Sequence, residues 1–150
     1  MLEFALVVIF LLTMLFGVMD FGRALYTYHF VSNAARSATR WAMVNGHDCA
    51  LDSTCNGTAP MNNGPATVAD VQNYVKGLTP PGIDPNQIVT TVCGASDGGK
   101  CAASPPSCTT QNGAGCTVSV TVSYDFSFLA PLVYSSTINL SSTSQMIIAH

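Results

Sequence analysis

The sequence predicts an α+β protein in which one long, apolar N-terminal helix packs on a small antiparallel β-sheet domain with disulfide-bonded loops. Three observations point there. The chain opens on an apolar run without charge, it carries valine-rich alternation in its second half, and its six cysteines all lie beyond the apolar run. The boundary expected is residues 1–46 for the helix and 47–150 for a globular head with Cys-rich loops.

The helix is read first. Phe4 to Met19 holds no charged residue, and Thr13 is its one polar side chain. Those 16 residues make about 24 Å of helix. With Met1 and Leu2 the segment approaches the length that crosses a bilayer core. A buried core helix is the competing reading, but the rest of the chain has few long apolar runs with which to wrap it. No Lys or Arg precedes the run and no A-x-A site follows it, which argues against a cleaved secretory signal. Past Met19 the pattern becomes amphipathic. Phe21, Leu25, Tyr28, Val31, Ala35, Ala38 and Ala42 recur at three and four residues and define the expected inward face. Arg23, Thr27, Asn33, Arg36 and Arg40 define the other face. Asn45 and Gly46 are the stop. Gly17 and Gly22 each cost the helix about 1 kcal/mol against Ala and mark a place for a bend around Asp20.

The segment 47–65 reads as a loop, with Asn56-Gly57 and Asn62-Asn63-Gly64-Pro65 as turn signals. A short helix follows, capped by Thr67 with Asp70 three residues on, stopped by Gly77, and apolar along Val68, Val71 and Val75. Ile88 to Cys93 reads as a strand. Gly94 to Gly115 is a Gly-, Ser- and Pro-rich excursion. Thr117 to Tyr124 alternates, with Val118, Val120, Val122 and Tyr124 on one face. Thr137 to Ile148 is a last strand or strand pair, with Ile138 and Leu140 inward.

Composition narrows the function classes. Only 9% of the residues are charged, against about 25% in ordinary soluble domains, and the net charge is -3. Nothing basic enough for nucleic acid is present. Cys49, Cys55, Cys93, Cys101, Cys108 and Cys116 are even in number and set in loop-like sequence, which points to disulfides and an oxidising compartment. The pairing expected is Cys49 with Cys55, Cys93 with Cys116, and Cys101 with Cys108. Zinc is disfavoured: no C-x-x-C pair occurs, and His29, His47 and His150 are not at ligand spacing. Asp48 and Asp52 are a weak calcium signal at best. No P-loop, dinucleotide fingerprint, G-x-S-x-G or H-E-x-x-H is present, so neither catalysis nor a cofactor is expected. Asn56-Gly57-Thr58 is a glycosylation candidate in a loop, whereas Asn139-Leu140-Ser141 falls in a strand.

One conflict stands out. Arg23, Arg36 and Arg40 follow the apolar run, which taken alone puts the cysteines on the cytoplasmic side. A basic leader already removed, with Met1 inside a processed chain, reconciles the two signals.

Glu3-Phe4-Ala5-Leu6-Val7, the stretch Phe16 to Tyr26 with Asp20-Phe21-Gly22-Arg23, and Val31-Ser32-Asn33-Ala34-Ala35-Arg36 resemble, in that order, the TadE/TadG-like pilins of the tight-adherence systems. The tail around Tyr124 to Pro131 and Leu140 to Met146 is more loosely similar. The resemblance implies a type IV pilin-like subunit. Such a protein is cut by a prepilin peptidase, held in the inner membrane, passed to an inner-membrane assembly platform and packed with its own copies into an extracellular filament. A minor pilin, a tip adhesin or an anchored periplasmic binding module that does not polymerise alone is the alternative. In this family a Glu stands fifth after the cut, and Glu3 matches it by context while standing third.

The assembly candidates are therefore Glu3, Phe4, Asp20 and Arg23. Glu3 is either an acid at the water interface of a helix start or the partner of a neighbouring subunit's amino terminus. Asp20 and Arg23 share one helix face, as a local ion pair or as partners between subunits. The aromatic residues of the helix are read as packing surface.

Overall fold

The computed structural model describes residues 2–46, 66–106, 108, 113–128 and 137–148. Helix α1 spans Leu2–Val44 without interruption, running straight through Gly17 and Gly22. Helix α2 spans Val68–Gly77, and a 3-10 turn at Pro85–Gln87 leads into the sheet. Strands β1 (Ile88–Cys93), β2 (Thr117–Ser127) and β3 (Thr137–Ile147) form one antiparallel sheet in the order β1-β2-β3.

Each element has a local cause. The α2 start is a capping box: the Asp70 N–H donates to Thr67 Oγ1 at 3.2 Å and the Thr67 N–H donates to Asp70 Oδ2 at 3.1 Å. Asp97 takes a further orphan donor, the Val68 N–H, at 2.7 Å. In β2 the expected alternation holds: Val118, Val120 and Val122 are fully buried, and the strand runs three residues past Tyr124, so that Phe126 is buried too. Gly94 closes β1 at φ +82°, and a Cβ there would stand 2.3 Å from the Thr117 carbonyl oxygen, so only glycine fits.

The sheet lays its inner face on the second half of α1. Val31, Ala34, Ala35, Ala38 and Ala42 are buried against Val120, Val122 and Ile148, and small alanines let helix and sheet approach closely. Trp41 stacks on Tyr74 at 5.1 Å between ring centroids and ties α1 to α2. The Thr39 hydroxyl donates to the Ala35 carbonyl at 2.7 Å and lies 3.3 Å from the Ser144 carbonyl, which joins α1 to β3. Arg23 sits over Phe126, which pairs with Ile138. Residue numbers therefore rise together along α1 (23 to 39) and β3 (138 to 144): the helix and this edge strand run in the same direction.

Two expectations are corrected. The inward face of α1 below Val31 is Asp20, Ala24 and Thr27, not Phe21, Leu25 and Tyr28. Both rows meet Val31, one at i−4 and one at i−3, so periodicity alone does not choose between them. Packing against Phe126 and Tyr124 selects the first. Ile138, expected inward, is 47% exposed at the open start of β3.

The cysteine pairing also differs. The bonds are Cys93–Cys101 and Cys108–Cys116, two successive loops rather than one nested in the other. The register explains it. Cys93 lies opposite Ser119, and Cys116 is three residues further along, about 10 Å, beyond the roughly 7 Å of Cα separation that a disulfide spans. Cys49, Cys55 and Asn56 lie outside the described residues.

Candidate functional site

The surface with the strongest claim to function is the first half of α1. A helix with apolar residues on every side must be covered on every side. Among the described residues almost nothing covers it: Phe4 is 76% exposed, and Leu6, Ile9, Phe10, Met14 and Val18 are exposed as well. That rules out a core helix of this chain. The residues are long and apolar enough to cross a membrane. Thr13, the lone polar side chain, donates its hydroxyl to the Ile9 carbonyl at 2.8 Å, so it brings no unsatisfied donor into an apolar setting.

Charge stands at both ends of this stretch. Glu3 lies exposed in the first turn of α1, where a carboxylate complements the helix dipole. Asp20 begins the packed half and is buried, with Arg23 Nη1 3.4 Å from its Oδ1. Thr27 donates to the Arg23 carbonyl at 2.9 Å. The Arg23 guanidinium carbon lies 5.5 Å from the centroid of the Phe126 ring, within cation–π range.

The four assembly candidates thus fall into two groups that do not meet. Glu3 and Phe4 sit at the helix start, and Asp20 lies about 25 Å further along the axis. Asp20 and Arg23 do come together. Sequence reasoning missed what lies beside Arg23: a cleft of about 210 Å³ between α1, the Pro81–Ile83 loop and the end of β2, lined also by Tyr26, Tyr124, Phe126 and Ser127. The available signal was the alternation of β2, which reaches Phe126 when extended by one step. Asn139 lies in β3 and donates its side-chain amide to Asp125 at 2.7 Å. Among the described residues no group of three His, Cys, Asp or Glu is placed to hold a metal ion.

A bare apolar helix carrying a disulfide-tied α+β unit on its far half defines a class: proteins whose N-terminal rod is covered by something other than their own fold. Residues 1–40 match the family model described as TadE-like protein. The match ends close to where α1 does and leaves the sheet outside it. No curated protein and no solved structure matches the chain.

Proposed function

We propose that this chain is a structural pilin subunit that polymerises through α1 into an extracellular, type IV pilus-like filament, and that it is not an enzyme. Residues 1–46 serve first as the membrane anchor and then as the filament core, and residues 47–150 form the head that faces water. One observation carries the reading: the helix that matches the TadE-like model presents a charge-free apolar rod from Phe4 to Met19 that the described residues leave bare. Lipid satisfies such a rod before assembly, and identical rods of sibling copies satisfy it afterwards. The other partners are a prepilin peptidase and the assembly platform of the inner membrane.

Glu3 supplies register. A carboxylate among apolar neighbours costs several kcal/mol unless it is paired, and a neighbouring copy's amino terminus is the partner of opposite charge at the right end of the rod. Glu3→Ala is expected to keep the protein in the membrane fraction while filaments disappear from electron micrographs. Normal filaments from that variant refute the role of Glu3.

A further inference from the structure

The span is short and the structure shows how it is completed. Phe4 to Met19 gives about 24 Å of helix, less than the ~30 Å hydrocarbon core of a bilayer. On the face turned away from the sheet the apolar surface does not stop at Met19. Val18, Phe21 and Leu25 follow one another at three and four residues and are 67%, 64% and 44% exposed. Phe4 to Leu25 is 22 residues, about 33 Å, which matches the core. Tyr26 and Tyr28, each about half exposed, come next, and tyrosine is enriched at the headgroup level of membranes. The headgroup layer then falls beside Arg23 and its cleft.

We propose that this cleft seats the phosphate of a membrane glycerophospholipid, so that the lower rim of the sheet region rests in the headgroup layer before assembly. The inference rests on the reading of α1 as a membrane anchor. Arg23 is the first cation after the apolar run, and its side chain is 47% exposed. One of its N–H groups faces Asp20, which is 6% exposed and lies on the buried side. The fork of a guanidinium has five donors and binds phosphate oxygens through two at once. Its guanidinium carbon lies 5.5 Å from the centre of the Phe126 ring. Tyr26, Tyr124 and Ser127, each bearing a hydroxyl, line the same space together with the apolar residues Pro81 and Ile83. A volume of about 210 Å³ is below the ~300 Å³ at which pockets for whole small molecules begin. It suits a phosphodiester with its glycerol carbons while the acyl chains stay beside the helix.

The test uses the full chain in nanodiscs, unassembled, with a phospholipid carrying a photoactivatable group near its phosphate. Adducts mapped by mass spectrometry are expected in the Pro81–Ile83 and Tyr124–Ser127 segments as well as along α1. Adducts confined to residues 4–19 overturn the seat and leave the anchor standing, whereas adducts nowhere overturn both. Native mass spectrometry of the detergent-released protein supplies the second arm. Arg23→Gln is expected to lower retained phospholipid about tenfold, as loss of a charge-assisted bidentate contact does, while Arg36→Gln leaves it unchanged. Equal retention in both variants overturns the role of Arg23. Inorganic phosphate is expected not to displace the lipid, and displacement by millimolar phosphate overturns the assignment to a membrane source.

Discussion

The two halves of α1 are one continuous helix in two different settings. From Val31 to Ala42 its buried face is valine, alanine and threonine, fitted to a sheet with a Thr39 hydroxyl reaching across to β3. From Phe4 to Met19 it is apolar apart from Thr13, and among the described residues almost nothing buries it. The upper half is shaped for one known neighbour at close range, so its side chains are small. The lower half has no fixed neighbour among the described residues, so it is merely greasy, the composition that serves equally well in lipid or among other helices. A tight, specific surface and a permissive one are thus written into a single element, and the boundary between them is Asp20.

Three substitutions press on that contrast. The largest effect is expected in the lower half: Leu11→Arg puts a charge midway along the bare segment and costs about 3 kcal/mol of membrane insertion. Membrane fractionation should show the loss, while the urea midpoint of the sheet region stays where it was. A shifted midpoint would mean that the two halves are not independent. The next effect belongs to the sheet side. Replacing Cys108 and Cys116 together by serine opens a loop closed at a sequence separation of 8, and the expected loss is about 2–3 kcal/mol in denaturant unfolding of the detergent-solubilised chain. Membrane retention should not change. The smallest is Thr67→Ala, which removes the α2 cap and lowers stability by about 1 kcal/mol in the same assay.

Much of the fold was legible because its signals are local. A run without charge followed by apolar residues at three- and four-residue spacing gives α1, Thr67 with Asp70 and Gly77 gives α2, and valines at every second position give β2. The choice between the rows Asp20–Thr27 and Phe21–Tyr28 was not legible. Hydrophobicity favours the second row, and tertiary packing on Phe126 turned the helix to the first. Disulfide connectivity was beyond reach for a similar reason, since it depends on Cys93 lying opposite Ser119 rather than on spacing along the chain. Of the candidate site, Glu3, Phe4, Asp20 and Arg23 could be named from the resemblance in motif order together with the placement of charge around the apolar run. The cleft beside Arg23 could not, because its other walls come from residues 58 and more positions further along the chain.

The direction of β3 has one last consequence. This edge strand has eleven residues, no charge and no proline, the kind of edge that invites a stranger to add a strand. Because β3 ascends alongside α1, the antiparallel pairing of two such edges would turn one molecule upside down relative to the other. On the proposed reading of α1 as a membrane anchor, sister molecules in one bilayer all stand the same way up and cannot make that antiparallel bond. On that reading a shared orientation bars the antiparallel pairing that lysines discourage elsewhere, and the bar lapses once the molecule leaves the membrane.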